Sequence, residues 1–284
     1  VQDIKATGSK QFADDTSHKS GWKKGGLINL GIAQGGTRNW AAGGEKFSLA
    51  LNGYVNVFAN LKKGKQRWNN NLDLFYALVK TTSQGLRKND DRIDLFSKYT
   101  YQFRPKLGFG GVGNFRSQFT DGYDYSKTPQ QRISSWFAPA IITMAPGIDW
   151  TPKDYFSVFF SPISARWTIV ANRPFELAAL YGVSPYREVK VEAGAYVTAN
   201  FNKEVMKNVV LKSRLDLYSN YLKKPQNIDV FWTNVVGLKV NKFLSVTYNL
   251  DLIYDDDARI FGPNRDAPRT QLKSLLSVGF SAKL

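Results

Sequence analysis

The chain contains no cysteine, and its 284 residues include a single histidine, His18. The lack of cysteine excludes disulfides, thiolate metal sites and a thiol nucleophile. His18 lies in the polar stretch DDTSHKSGW, away from any pattern that would place it beside a nucleophile. A histidine-dependent hydrolase centre is therefore disfavoured. From these residues we expect no enzymatic activity, no cofactor and no metal ion.

Long hydrophobic runs are also missing. No stretch of about 18 apolar residues occurs, which excludes a transmembrane helix. The chain instead shows a regular alternation of apolar and polar residues. In residues 245–256, SVTYNLDLIYDD, the even-numbered positions from 246 to 254 are apolar or aromatic, and most odd-numbered positions are polar. A period of two predicts a strand with one apolar and one polar face, and this strand is longer than the usual five or six residues.

The same alternation recurs along the whole chain. We count about twelve segments, near residues 25–34, 46–61, 66–81, 91–104, 106–120, 135–151, 154–171, 188–202, 205–221, 227–241, 243–256 and 270–284. The connections are alternately short (KKGK, RPK, TPKD, NKEV, NK) and longer (such as GGTRNWAAGGE, TTSQGLRKND and DDDARIFGPNRDAPR). Short turns at one end and long loops at the other are typical of outer-membrane barrels, whose strands need roughly 9–11 residues.

We therefore predict an all-β fold, a transmembrane antiparallel up-and-down β-barrel of about twelve strands. Residues 1–24 are predicted to form a polar periplasmic tail, and residues 25–284 the barrel. The predicted location is the outer membrane of a Gram-negative cell, with both termini in the periplasm. The alternative is a soluble sandwich, whose strands would be shorter, with turns every 8–12 residues or so.

The polar parity of the predicted strands carries charges of both signs. These lumen-facing candidates are Arg67, Asp73, Arg92, Asp94, Lys98, Arg116, Lys190, Glu192, Lys212, Arg214, Asp216, Asp229, Lys239, Asp251 and Lys273. Two interpretations stay open. The residues form a salt-bridge network that fills the bore, or they line a narrow channel with a modest preference for anions. The apolar stretch FELAALYG, within 171–187, is a candidate plug for the mouth.

Two other motifs invite a chemical interpretation. Asp255, Asp256 and Asp257 offer oxygen ligands, but their spacing is not that of a calcium loop, and Arg259, Arg265 and Arg269 lie nearby. We interpret this stretch as a solvated charged loop. The glycines of GFGGVG (108–113) lie inside an alternating segment with no helix pattern after it, which disfavours a nucleotide site.

The formal net charge of +16 favours anionic partners. Because the basic residues fall mainly at predicted rims, we expect contacts with outer-membrane lipids, including lipopolysaccharide. Nucleic acid is not expected, since the basic residues are scattered through turns and the aromatic residues lie on the lipid-facing parity.

The stretches NWAAGGEKFSLALNGYVN (39–56), GIDWTPKDYFSVFFSPISARWTIV (147–170) and DDRIDLFSKYTYQ (90–102) resemble a family of uncharacterised outer-membrane proteins typical of Bacteroidota. The resemblance implies an outer-membrane barrel and no reaction. Two functions follow as hypotheses: a narrow or plugged barrel that passes small, weakly anionic solutes, or a non-enzymatic subunit that scaffolds a larger outer-membrane complex for secretion, assembly or uptake. For the second, the candidate partner loop is Asn39, Trp40, Gly43, Gly44 and Glu45.

Overall fold

The computed structural model describes residues 20–36, 46–125, 127–171, 175–184, 186–241, 244–258 and 267–283. Within these residues, twelve strands close into an antiparallel barrel. The barrel strands are β1 (Gly21–Gly35), β2 (Ser48–Lys63), β3 (Gln66–Thr81), β4 (Gly85–Arg104), β5 (Leu107–Ser117), β8 (Ala140–Lys153), β9 (Phe156–Ile169), β10 (Val189–Met206), β11 (Val209–Asn220), β12 (Ile228–Lys239), β13 (Leu244–Tyr254) and β14 (Gln271–Lys283). The predicted fold class and strand number are confirmed.

The first and last strands close the ring. β1 pairs with β14 from Leu27–Lys283 to Gly31–Gly279, and every other barrel strand pairs with its ring neighbours. Closure satisfies the backbone hydrogen-bonding groups that an open sheet edge would leave unpaired. The turns after β2, β4, β8, β10 and β12 lie at one end of the barrel, which we call the short-turn end, and the other connections lie at the loop end.

The period-two pattern sets which side chains face outward. On β14, Leu272, Leu276 and Phe280 are 67%, 64% and 70% exposed on the outer wall. On the neighbouring β13, Ser245 and Thr247 face inward and are buried. The outer wall is thus apolar and exposed, the reverse of a soluble protein, in which large apolar side chains pack inside.

The interior is more apolar than the polar parity suggests. Leu27, Tyr54, Phe75, Ala77 and Val210 form one buried cluster inside the ring. A second interior cluster consists of Phe96, Val112, Ala145, Phe159, Tyr196 and Tyr218. Because these side chains project from opposite parts of the wall, the bore between the charged residues is packed with side chains.

Two boundaries differ from the sequence-based expectation. β4 begins at Gly85, so the predicted long loop TTSQGLRKND is a three-residue turn, 82–84, followed by a twenty-residue strand. Its polar start pairs with the end of β3, and a bulge near Ala77 and Leu78 absorbs the change of register. β1 begins at Gly21, inside the segment predicted as a tail, whereas residues 1–19, including His18, lie outside the described residues.

The loop end carries additional small elements. β6 (Gly122–Asp124) and β7 (Gln131–Ser134) pair as a separate hairpin between β5 and β8, and α1 (Phe175–Leu180) lies in the connection from β9 to β10. No helix in the described part of the chain is long and apolar enough to cross a membrane. Leu177, Leu180 and Val183 pack in a buried cluster with Ala138 and Val170. The candidate plug thus packs against residues before β8 and after β9 at the loop end.

Candidate functional site in the barrel interior

The inward-facing charges of the barrel meet in two layers across the bore. The first, the central layer, contains Arg92, Asp94, Arg116, Arg214, Asp216, Asp251 and Lys273. The second, the loop-end layer, contains Arg166, Lys190, Glu192, Asp229, Asp255 and Asp257. A closed barrel brings such residues together because alternate side chains of every strand point to the same interior.

Two arginines and two aspartates form the middle of the central layer. Arg116 Nε lies 3.2 Å from an Asp94 carboxylate oxygen, and Arg116 also pairs with Asp216. Arg214 pairs with Asp94, and its Nε lies 3.2 Å from Asp216. Since β4 and β11 are five places apart in the ring of twelve described strands, the Arg214–Asp94 pair joins almost opposite walls.

A second set of pairs extends the central layer across the bore. Arg92 on β4 lies 2.9 Å from Asp251 on β13, again five places away in the ring. Lys273 on β14 lies 2.7 Å from Asp251 and 2.8 Å from Asp90. Neutral donors complete the layer: Asn114 donates to Asp94 at 2.8 Å, and the Tyr196 hydroxyl donates to Asp216 at 2.9 Å.

The loop-end layer is centred on Arg166, whose side chain is 4% exposed. Its guanidinium pairs with Asp229 and lies 2.7 Å from Asp255, and Glu192 lies 3.8 Å from its Nε. Lys190 joins Glu192 at 2.8 Å and also pairs with Asp257. A buried ion needs partners of the opposite charge, so three carboxylates around one arginine hold it in place.

The Phe231 ring connects the two layers. Its centroid lies 4.7 Å from the Arg116 guanidinium carbon and 6.0 Å from that of Arg166. The face of an aromatic ring attracts a cation, most strongly where water is excluded. The two charged layers are therefore packed against a common side chain.

A cavity of about 200 Å³ lies between the central layer and the short turns. Its polar lining is rich in carboxamides, namely Asn60, Asn69, Asn70, Asn71, Asn200 and Asn202. The predicted residues Arg67, Asp73, Lys98 and Lys212 also line it, as do Arg92, Asp94 and Arg214 of the central layer. Lys98 lies 2.8 Å from Asp149. The cavity thus ends at the central layer and reaches turn residues at the other side, including Tyr155.

Lys239, the last of the predicted lumen residues, is set apart from both layers. It ends β12 at the short-turn end, where its backbone N–H donates to Asn208 at 3.0 Å. The candidate partner loop, Asn39, Trp40, Gly43, Gly44 and Glu45, lies outside the described residues.

Sequence reasoning missed Arg166, the centre of the loop-end layer. β9 contains a bulge at Pro162 and Ile163: Ser161 pairs with Tyr196 and Ser164 with Gly194, so the inward parity changes along the strand. Phe159 faces inward before the bulge and Arg166 after it. Pro162 was the available signal, because proline inside a strand marks an edge or a bulge.

The aspartates after β13 are not a solvated loop, as the sequence suggested. Asp255 is buried and pairs with Arg166, while Asp257 accepts from Lys190 and from Lys223 at 2.9 Å. Burial by itself would raise the pKa of Asp257, but the hydrogen bonds from the two lysines outweigh it and lower the pKa to about 2. Of the three nearby arginines, Arg259 and Arg265 lie outside the described residues.

The glycine-rich motif has a structural role. The glycines of 108–113 lie within β5, in a strand that pairs with β4 and β8. In the described residues, no group of three or more histidine, cysteine, aspartate or glutamate side chains is arranged to hold a metal ion. The charged layers are suited to closing the bore, and the cavity on their short-turn side is suited to binding a small polar solute.

Comparisons with known proteins give one family match and several similar structures. The model of a family described as "Protein of unknown function (DUF3078)" matches residues 32–123, which supports the resemblance to an uncharacterised family. The comparison with curated proteins found no match. Among solved structures, the chain is similar to the NanC porin, at 9% identity and a TM-score of 0.41 over 89% of this chain and 98% of the porin.

The chain is also similar to two other solved structures. The COG4313 outer membrane channel from Pseudomonas putida F1 matches at 8% identity and a TM-score of 0.41, over 95% of this chain and 98% of the channel. The translocator domain of autotransporter NalP from Neisseria meningitidis matches at 9% identity and a TM-score of 0.35, over 93% of this chain and 89% of that chain.

Proposed function

We propose that this chain is an outer-membrane barrel of a Gram-negative cell that passes small, weakly anionic solutes through a bore closed at rest. The short-turn end, with the start of β1 and the end of β14, faces the periplasm in this proposal. The outer wall supports the membrane placement. Leu30 on β1, Ile163 on β9 and Leu272 on β14 are each more than 60% exposed on the outer wall, which in water would be an aggregation-prone surface.

The single observation that carries the closed state is the Arg214–Asp94 pair between almost opposite walls. An open diffusion pore keeps its charged rings around a water-filled passage, whereas here the charges neutralise one another across it. Passage of a solute then requires these pairs to separate. Ion pairs can exchange partners without disturbing the backbone ladder, so the barrel wall stays intact while the layer opens.

The cavity below the central layer supports the solute class. Carboxamides both donate and accept hydrogen bonds, and they suit small hydroxylated or carboxylated molecules. The same lining carries five basic side chains against four acidic ones, which leaves a small net positive charge. The cavity of about 200 Å³ limits the solute to roughly the size of a monosaccharide or an amino acid.

Conductance in planar bilayers tests this proposal. The double substitution Arg214→Ala with Asp216→Ala removes one positive and one negative charge from the central layer, and with them the Arg214–Asp94 and Arg116–Asp216 pairs across the bore, without changing the net charge. We expect wild type to show rare, small current steps, and the variant to show frequent, several-fold larger steps that favour anions. The matched control is Lys98→Ala with Asp149→Ala, which removes a pair beside the cavity and leaves the cross-bore pairs in place. A folded double variant as silent as wild type would overturn the proposal.

A second candidate function follows from the same closure. A barrel whose bore is packed and ion-paired need not conduct at all, and it then serves as a non-enzymatic subunit in an outer-membrane complex. Its partners would be other outer-membrane proteins, and the loop from Asn39 to Glu45 is the candidate contact for them. Co-purification in mild detergent distinguishes the two: a stoichiometric partner favours the scaffold, and a lone monomer with anion-selective steps favours the channel.

A further inference from the structure

The excess positive charge of the chain is concentrated at the short-turn end. Across the described residues 20–24, 62–67, 103–107, 152–155, 202–208 and 238–241, twelve basic residues face two acidic ones, Asp154 and Glu204. The basic residues are Lys23, Lys24, Lys62, Lys63, Lys65, Arg67, Arg104, Lys106, Lys153, Lys203, Lys207 and Lys239, of which Arg67 also lines the interior cavity.

The loop end is balanced by comparison. With the two strand residues beside each connection included, its described residues 34–36, 46–49, 80–86, 116–125, 127–141, 168–171, 175–184, 186–190, 219–229, 253–258 and 267–272 hold ten basic and eight acidic residues. The chain's charge is therefore polarised along the barrel axis. A random scatter of surface lysines, adequate for solubility, would not produce this difference between the ends.

Aromatic side chains accompany the basic rim. Trp22 and Trp68 contact each other with ring centroids 5.8 Å apart, and Phe109 lies 5.7 Å from Tyr101. Further pairs are Phe103–Phe109, Trp150–Phe156 and Tyr155–Phe201. Tyr155 lies in the β8–β9 turn, and the others lie on β1, β3, β4, β5, β8, β9 and β10, which together with β2 form one continuous arc of the ring. Indole and phenol rings prefer the boundary between hydrocarbon and head groups.

Basic groups lie close to aromatic rings on this arc. The Lys203 ammonium lies 4.5 Å from the Tyr155 ring centroid, and the Lys24 ammonium lies 6.0 Å from that of Trp22. The arc thus holds its rings at the edge of the apolar wall with ammonium groups beside them. This order of layers, apolar wall, aromatic ring and cation, matches the order of acyl chain, interface and phosphate in a lipid leaflet.

We propose that the short-turn rim and its aromatic arc form a collar that binds the phosphates of anionic phospholipids in the leaflet at that end. This inference rests on the proposed membrane placement. It assigns the anionic-lipid contact to the short-turn end, rather than to both rims or to lipopolysaccharide at the loop end. Nucleic acid fits less well, because the rings pair with one another and present no stacking platform.

Quenching of tryptophan fluorescence by brominated lipids tests the collar. The barrel is reconstituted in phosphatidylcholine bilayers that contain increasing fractions of brominated phosphatidylglycerol, and the relative binding constants of the two lipids are compared. The variant Lys62→Gln, Lys63→Gln, Lys65→Gln removes three charges from the rim. The control Lys46→Gln, Lys224→Gln, Arg269→Gln removes three charges from the loop end. Heat-modifiability on gels checks that both fold.

We expect wild type to prefer phosphatidylglycerol, and the rim variant to lose about fivefold or more of that preference, since each rim lysine interacts with the anionic surface. The control should keep the wild-type preference. An equal loss in both variants, or no preference in wild type, would overturn the inference while leaving the barrel in the membrane. Failure of wild type to insert into the bilayers at any lipid composition would overturn the membrane placement itself.

Discussion

Arg166 on β9 and Asp255 at the end of β13 meet inside the barrel, with Nη2 and Oδ2 2.7 Å apart, although 89 residues separate them in sequence. The two strands are four places apart in the ring, so the contact spans the bore. The same arginine also pairs with Asp229. One guanidinium therefore neutralises carboxylates from two strands and an adjoining loop.

Replacing Arg166 should lower the free energy of unfolding substantially. Arg166→Met keeps most of the side-chain volume but leaves Asp229 and Asp255 facing each other without a cation, and breaking a buried pair in this way costs about 3–5 kcal/mol. Urea-induced unfolding in lipid vesicles, followed by tryptophan fluorescence, measures the change. The control Arg67→Met, in the lining of the cavity, should change the free energy of unfolding by less than about 1 kcal/mol. Equal, small effects would contradict the loop-end layer.

The pH dependence of the loop end follows from Asp257. Its pKa is lowered to about 2, so its contribution is fully present above the unfolded pKa near 4 and is lost as the pH falls towards 2. Gly182, in the segment after α1, lies against it: a Cβ there would be 3.3 Å from the Asp257 Cβ. We expect this segment to stay docked at about pH 4 and to loosen near pH 2.

Pepsin, which is active in acid, reports this docking. Cleavage within residues 175–184, normalised to the free peptide, should be slow at about pH 4 and faster near pH 2 in wild type. Asp257→Asn should already be cleaved quickly at about pH 4, because the ion pairs with Lys190 and Lys223 are gone. Fast cleavage of wild type at pH 4 would show that these pairs do not hold the loop.

Two glycines on β5 should respond differently to alanine. A Cβ on Gly110 would collide with the Tyr99 carbonyl oxygen of β4, whereas a Cβ on Gly113 would meet nothing within 4 Å. We expect Gly110→Ala to destabilise the barrel by about 1–3 kcal/mol and Gly113→Ala to be neutral or slightly stabilising. The same urea titration measures both. If the two variants are equally stable, β4 and β5 do not approach as closely as described.

A charge on the outer wall should be penalised according to membrane depth. Leu276 on β14 and Leu222 in the β11–β12 connection are similarly exposed, at 64% and 72%. In a bilayer, Leu276→Arg should cost about 2–4 kcal/mol, because the arginine would enter hydrocarbon. Leu222→Arg should stay within about 1 kcal/mol. Refolding into vesicles from urea gives both values, and equal costs would argue that the wall faces water.

The sequence predicts the wall better than it predicts the contents of the bore. The alternation of residues 244–254 sets both the existence and the facing of β13, because a period of two has one geometric meaning in a strand. All twelve barrel strands overlap predicted segments for this reason. The length of β4 was missed because its first six residues, GLRKND, are mostly polar and resemble a loop.

The two charged layers could not be predicted from the sequence, because their contacts depend on the three-dimensional arrangement of the strands. Parity indicates that Asp94 and Arg214 face inward, but only the ring order and the stagger of the strands show that they meet. The inward-facing position of Arg166 was not predicted, because the bulge at Pro162 and Ile163 reverses the inward parity within β9. The apolar interior clusters were missed because the predicted lumen residues included only charged side chains, although Tyr54 and Phe75 lie on the same inward parity.

Because the chain has no cysteine, single cysteines introduced along β13 can be labelled one at a time with a nitroxide. The measurement is the accessibility of each label, from residue 246 to residue 251 in a bilayer, to oxygen, which dissolves in hydrocarbon, and to a water-soluble nickel complex. We predict that Val246, Tyr248 and Leu250 are open to oxygen and that Thr247, Asn249 and Asp251 are shielded from both reagents. Absence of the two-residue period, or even-numbered labels that meet the nickel complex, would contradict a lipid-facing barrel with a closed bore.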